Sequence, residues 1–238
     1  MHPTKNPDSE SIRRMFDNLA GRYDLFNHLT SLGLATQWRR QTLMPVKPGM
    51  RVLDLGCGTG DLALAAIRKM GTEGEVVGID FSANMLAVAK KRYEATGLNG
   101  RHALRFELKK AEDLPLQEAS FDLVVSGFVL RNLYENIESV LGGVYRSLKD
   151  GGRISFLDLT EPPSAALRGF WRLYMNTVVA LYGRLLFGRR YPEFYLTQSA
   201  ERFLKAPEFM GQLRAAGFRD VRSRSFLFGI IRLYEAVK

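Results

Sequence analysis

Ten residues, VLDLGCGTGD from Val52 to Asp61, constrain this chain more than any other segment. An apolar run of strand character enters a turn containing Gly56, Gly58 and Gly60 and leaves into a helical stretch at Asp61. Glycines let such a turn be tight and let another group approach the main chain closely. The alternation continues downstream. RVLDL (51–55), EVVGID (75–80), HALRFEL (102–108), FDLVVSGF (121–128) and RISFLDL (153–159) read as buried strands. Helical stretches at 61–70, 83–95 and 137–148 separate them, and a DGG turn at 150–152 precedes the fifth. A helix over 209–216 and a hairpin of 218–226 with 229–237 complete the chain, the hairpin adding one antiparallel edge strand. Strands alternating with helices predict a parallel, doubly wound, Rossmann-like α/β sheet, here seven-stranded.

Two segments stand outside that pattern. Residues 1–10 are polar and expected to be disordered or weakly held, while 11–46 read as short helices. Ser9 or Ser11 is a candidate cap, and Ile12, Met15, Phe16 and Leu19 share one face. The KPG turn at 47–49 divides this helical cap (1–46) from the main domain (47–238). Between about 161 and 205 the alternation stops in an insert rich in arginine and aromatics, including Phe170, Trp171, Tyr174, Tyr191 and Tyr195. It follows the fifth strand and so lies at the carboxyl edge of the sheet, where open α/β folds bind ligands. The longest apolar stretch, Met175 to Gly183, is too short to span a bilayer. No secretory h-region is present, and the lone cysteine, Cys57, suits a cytoplasmic protein and excludes an intrachain disulfide or a cysteine-based metal site. The net charge of +9 comes from scattered arginine with a cluster at 168–190. A solvated basic surface is expected rather than a nucleic-acid site.

The glycine turn suits a nucleotide-type ligand at a helix N-terminus. A dinucleotide fold would use G-x-G-x-x-G, whereas the spacing here is G-x-G-x-G with Asp54 just upstream. A carboxylate there opposes a pyrophosphate but suits the α-amino group of S-adenosyl-L-methionine, directly or through water. Asp80, ending the second strand beside Phe81, can accept hydrogen bonds from a ribose diol. These features favour S-adenosylmethionine over a nicotinamide cofactor. Cys57 sits inside the turn and is not read as a nucleophile.

Three further segments are more particular: FDNLAGRYDLFNHLTSLGLATQWRR (16–40), FVLRNL (128–133) and FYLTQSAERF (194–203). Together they resemble the ubiquinone/menaquinone biosynthesis C-methyltransferase family over most of the chain. The resemblance implies the class I S-adenosylmethionine-dependent methyltransferase fold, and methylation of a ring carbon on a prenylated hydroquinone such as demethylmenaquinol. It also implies cofactor contacts at Thr59, Asp80, the pair Lys110-Ala111 and Ser126. The family usually carries Asp or Asn at the position of Lys110, and lysine cannot accept a hydrogen bond from an adenine amino group. Ala111 N–H, Glu112 or Asp113 are the substitutes. Other departures are Ala35-Thr36 for His-Arg, Phe203-Leu204 for Phe-Pro, and Tyr234 for a histidine. All are expected where substrate and lid lie.

For such a reaction the adjacent phenol must lose its proton, so Arg131 is the candidate to stabilise a phenolate. Asn132 is the candidate to orient a water, and Tyr23 with Asp24 to close the site and relay the proton. Asp122 reads as a structural turn acid and Asp158 as a lesser site candidate. The insert has three readings: the wall of a tunnel for an isoprenoid tail, a segment resting peripherally on the inner membrane face, or a plain lid. A homodimer through the same surface is compatible with each. Two other functions stand beside the quinol reading: methylation of another lipophilic or phenolic small molecule, and a non-catalytic S-adenosylmethionine-binding scaffold.

Overall fold

Successive side chains of a strand point to opposite faces, and β1 (Arg51–Leu55) shows what this builds. Val52 enters one core while Leu53 and Leu55 enter the other. Both faces of β1 are therefore covered, as a central parallel strand requires. The computed structural model describes residues 9–71, 73–98, 103–192 and 194–238. The polar leader 1–8, and His102, which was expected to open the third strand, lie outside the described residues.

The other strands are β2 (Glu75–Asp80), β3 (Ala103–Leu108), β4 (Phe121–Gly127), β5 (Leu148–Leu159), β6 (Arg219–Phe226) and β7 (Ile231–Val237). They form one seven-stranded sheet in the order β3-β2-β1-β4-β5-β7-β6. Strands β1 to β5 run parallel, and β7 is antiparallel to both neighbours. The order reverses between β1 and β4, which opens a crevice at their carboxyl ends. Helices α4 (Asp61–Met70), α5 (Ala83–Ala95) and α6 (Ile137–Ser147) make the crossovers, and α10 (Ala206–Ala215) leads into β6.

Two strand expectations change. The antiparallel strand is not the edge: β7 inserts between β5 and β6. Burial explains it, because every residue of β7 is buried or partly buried, whereas β6 is exposed along most of its length. The DGG segment is not a turn before β5 but part of that strand. Gly151, at φ 76°, lies in an irregularity that shifts the β4–β5 register between Phe121 and Leu123.

The cap comprises α1 (Ser9–Leu19), α2 (Tyr23–Thr30) and α3 (Leu34–Thr42), so helix begins two residues before the expected start at Ser11. Asp17 of α1 accepts from the Ser82 hydroxyl at 2.6 Å and from the Asn84 N–H at 3.3 Å, an acid at the N-terminus of α5. Arg92 of α5 donates to Asp24 of α2 at 2.7 Å, to the Thr59 carbonyl at 3.0 Å and to Asp61 at 2.7 Å. Arg39 of α3 pairs with the other oxygen of Asp61 at 3.0 Å. Three cap helices are thus fastened to the loops and helix ends around the crevice. The insert forms α7 (Ala165–Tyr174) and α8 (Ala180–Phe187), joined by a π-helical turn over Met175–Val179, followed by α9 (Tyr195–Arg202). Phe26 of α2 packs with Val179, Ala180 and Tyr191, so cap and insert share a small core. No helix among the described residues is long and apolar enough to cross a membrane.

Arg92→Met should loosen the cap while leaving the sheet intact. The half-exposed pairs it breaks together contribute about 1 kcal/mol, which lowers the melting temperature by about 2–4 °C. Limited proteolysis should then cut within the cap helices before the sheet, and equal protection of both in the variant would count against the latch.

Candidate active site

Two cavities open at the carboxyl edge of the sheet and meet at Phe16, Tyr23 and Phe128, which line both. The narrower one is bounded by the glycine turn, the end of β2, the segment Lys109–Glu112 after β3, and Phe128 to Leu133 after β4. Gly56 has φ 68°, and a Cβ on it would come within 2.6 Å of Val129. Gly58, at φ 52°, has nothing within 4 Å of its Cβ position: the turn presents bare backbone with free space above it. Gly60 does not line the cavity. It opens α4 and is packed against Ala89 and Phe106.

Below the turn lies Asp54, 1% exposed, with neither carboxylate oxygen hydrogen-bonded. Burial drives its pKa up to about 7; the nearby Ala63 N–H opposes this without reaching hydrogen-bond geometry. A buried carboxylate without partners is costly unless a cation or donor reaches it, and the α-ammonium of S-adenosylmethionine meets that requirement. Asp80 braces the turn from the other side. One oxygen accepts from the Gly58 N–H at 2.8 Å and the other from the Ser82 N–H at 2.9 Å. Each oxygen keeps a lone pair for a ribose hydroxyl. Burial pushes its pKa up to about 6 against those two bonds. Cys57 is buried and its thiol pKa is pushed well up, chiefly by burial, so it stays a poor nucleophile.

The remaining expected cofactor residues divide. Phe81, Thr59 and Ala111 line the cavity, Phe81 in edge contact with Phe16 at 6.1 Å. The Thr59 hydroxyl donates to Asp24 at 2.5 Å. Asp24 lines neither cavity and is occupied by Thr59 and Arg92, so it holds the cap rather than relaying a proton. Lys110 lines the cavity with an exposed side chain, and its N–H donates to Asp113 at 3.0 Å. With Asp113 engaged, Glu112 is the carboxylate brought to this wall, where it accepts from Asn136 at 2.9 Å. Ser126 is fully buried, its hydroxyl donates to the Leu55 carbonyl at 2.8 Å, and it does not line the cavity. It ties β4 to β1.

The second cavity, about 420 Å³, lies under the cap and insert with walls that are mostly apolar. Trp38, Trp171, Tyr174, Met175 and Ile231 contribute to it, together with Arg131 and Tyr195. Arg131 is buried. Its Nη1 donates to Asp158 at 2.6 Å and to the Phe128 carbonyl at 2.7 Å, while its N–H donates to the other oxygen of Asp158 at 3.0 Å. Burial alone would lower the Arg131 pKa; the carboxylate beside it more than compensates, and the pKa is raised. The guanidinium therefore stays charged, with Nε lacking a protein partner. Asp158, a lesser candidate from sequence, is the counter-ion that keeps this cation in an apolar cavity.

Asn132 lines the nucleotide cavity, and its Oδ1 accepts from the Tyr195 hydroxyl at 2.8 Å. Tyr195 was visible in sequence only as one aromatic of the insert. In the structure it bridges the two cavities, with its pKa pushed up to about 12 by burial. Tyr23 and Tyr195 both lie within electrostatic reach of Arg131. Phe128, on the shared wall, has φ 66°, a conformation costing an aromatic residue about 1–3 kcal/mol. Its N–H donates to the Leu157 carbonyl at 2.7 Å, which helps hold it there.

Of the family departures only Ala35 lines the substrate-side cavity. Phe203 and Tyr234 belong to the main core instead, each packed on Phe209, at 5.3 and 4.7 Å between ring centroids. Tyr234 sits on β7 and lines neither cavity.

Comparison with known proteins gives consistent results. A family model described as the ubiE/COQ5 methyltransferase family matches residues 4–238. A demethylmenaquinone methyltransferase of Lactiplantibacillus plantarum is 36% identical over 231 residues, 96% of each chain. A SAM-dependent methyltransferase from Aquifex aeolicus superposes with a TM-score of 0.61 at 18% identity, covering 86% of this chain and 90% of that one. The cyclase SpnF superposes at 0.68 and 18% identity, covering 98% and 96%. At such identities the two structures report the fold alone.

The sign of the Asp54 shift gives a test. An acid with a raised pKa in the folded state stabilises most below its unfolded value, and this contribution is lost as pH rises through the folded value. The cofactor-free protein should therefore lose stability between about pH 4 and 7 on account of Asp54 and Asp80. If Asp54 receives the α-ammonium of S-adenosylmethionine, uptake needs it ionised. Affinity should rise through about pH 7, and binding at pH 6 should release a proton, read as a buffer-dependent calorimetric enthalpy. Asp54→Asn should weaken binding about tenfold or more and flatten its pH dependence; an unchanged profile would remove Asp54 from the site.

Proposed function

The chain belongs to the ubiE/COQ5 methyltransferase family, and on that premise we propose that it methylates a ring carbon of a prenylated hydroquinone of the demethylmenaquinol type. It is an S-adenosylmethionine-dependent methyltransferase. The observation that carries the substrate reading is the junction of the two cavities. A large apolar cavity, holding a buried cation, meets the nucleotide cavity at Phe16, Tyr23 and Phe128. An isoprenoid chain matches the first in polarity, and a phenolic head group reaching the junction has Arg131 beside it.

S-adenosylmethionine supplies an electrophilic methyl on a sulfonium. The ring carbon attacks it in line, the sulfur keeps the electron pair as a thioether, and the ring loses one proton in exchange. This chain has three tasks. Arg131 stabilises the phenolate that makes the ring carbon nucleophilic, an effect enhanced in a cavity that excludes water. Its guanidinium does not take the proton, because its pKa is raised further by Asp158; loss to water oriented by Tyr23 or Asn132 fits better. The Tyr195–Asn132 hydrogen bond fixes the head group's surroundings across the two cavities. Alignment of this kind can supply several kcal/mol of a methyl-transfer barrier.

Ala35 supports a second reading for the head group. It leaves a small apolar surface where the family resemblance places a histidine, so another lipophilic phenol is the competing substrate.

Transfer of labelled methyl to reduced demethylmenaquinone in detergent is the direct test. The protein should methylate it, and Arg131→Lys, which keeps a charge for Asp158 but loses the planar fork, should lower kcat by about 10²-fold. Cofactor binding without any transfer would reject the quinol. Full activity of the variant would reject the role of Arg131 alone.

A further inference from the structure

The insert helix is apolar on both sides. Trp171, Val179 and Ala180 are buried against the cap and cavity, yet Phe170, Leu173, Leu181 and Leu185 on the opposite side are 56–71% exposed. The outward face mixes these large apolar side chains with Arg168, Arg172 and Arg184, the composition of a helix that lies at an interface. Two turns stand beside it with the same property. Leu32, between α2 and α3, is 80% exposed, and Phe228, between β6 and β7, is 76% exposed. Both, with Leu227, occupy left-handed backbone at φ 51°, 55° and 47°, which leucine and phenylalanine rarely adopt. The fold holds these side chains outward at conformational cost.

These groups are not scattered. Leu32, Phe170, Leu227 and Phe228 also line the large apolar cavity and so form its rim. Charge follows the same geography. The three segments that carry the rim, 25–46, 162–192 and 221–234, contain ten arginines and no aspartate or glutamate. Without them the net charge of +9 would fall to −1. Arg40, Arg184, Arg189, Arg222 and Arg224 in these segments are exposed.

We propose that this rim is the docking surface for an anionic lipid bilayer, and that the apolar cavity opens into the membrane interface. Exposed apolar side chains would enter the headgroup region while the surrounding arginines meet lipid phosphates, the combination that holds interfacial helices at membranes. A prenylated substrate would then pass from bilayer to cavity without crossing water. The cargo rests on the quinol reading above; the docking does not.

Docking is measured without any quinol, by co-sedimentation with vesicles of about 30% phosphatidylglycerol in phosphatidylcholine. The protein should sediment with these, and at least tenfold less with pure phosphatidylcholine or at high salt. Leu32→Ser with Phe228→Ser should reduce binding about tenfold, with uptake of S-adenosylmethionine showing that the variant is folded. Leu108→Ser, which removes an exposed leucine on β3 outside both cavities, should bind like the parent. The proposal is overturned if the parent does not bind anionic vesicles, or if the double variant binds equally well. It is also overturned if the parent is a dimer that the double variant dissociates while vesicle binding is absent. Methylation of the quinol in detergent is read separately, so either idea can fail alone.

Discussion

A carboxylate sealed under a glycine turn is the constraint around which the rest is arranged. Asp54 has lost its water and gained no protein partner. The turn above it cannot close over the space, because Gly58 faces open room and Asp80 holds its N–H from the far side. The cap must remain docked above this space, and Arg92 fastens it by joining Asp24, Thr59 and Asp61. Much of the charge near the crevice thus secures the geometry of the turn, and Asp54 is left with both oxygens unbonded.

A second buried charge is handled in the opposite way. Arg131 enters an apolar cavity already paired with Asp158 and bonded to the Phe128 carbonyl. Such a pair is weak evidence for added stability, but it fixes a cation where lipid-like walls would otherwise exclude one. The two cavities treat buried ionisable groups differently: the carboxyl of Asp54 in one has no hydrogen-bond partner, and the cation of Arg131 in the other is held by its counter-ion. Phe128 stands on the wall between them.

The parallel part of the sheet was legible because strand and helix periods announce themselves. β1, α4, β2 and α5 lie where the pattern put them, each bounded by glycine or a capping serine. What escaped was non-local. Whether β7 or β6 forms the edge depends on which strand finds two neighbours, and only burial decides it. In the site, Asp54, Asp80, Phe81 and the glycine turn could be named from one segment and its echo 24 residues later. Ser126 could not be told from a ligand contact, since a buried serine beside the crevice looks the same whether it faces cofactor or a neighbouring strand. Tyr195 was hidden for a related reason. Its partner Asn132 lies 63 residues away, and the insert offers several aromatics of equal standing. Tyr234 was placed with the substrate by resemblance, and the core claimed it.

The insertion of β7 into the sheet has an effect reaching past topology. Because β6 runs parallel to β5, the turn joining β6 to β7 falls at the same end of the sheet as the nucleotide crevice. That turn touches the substrate cavity and no part of the cofactor's. Its length and residues can drift without disturbing the donor half of the reaction. A lineage of such enzymes could therefore change what it admits while conserving how it delivers the methyl group.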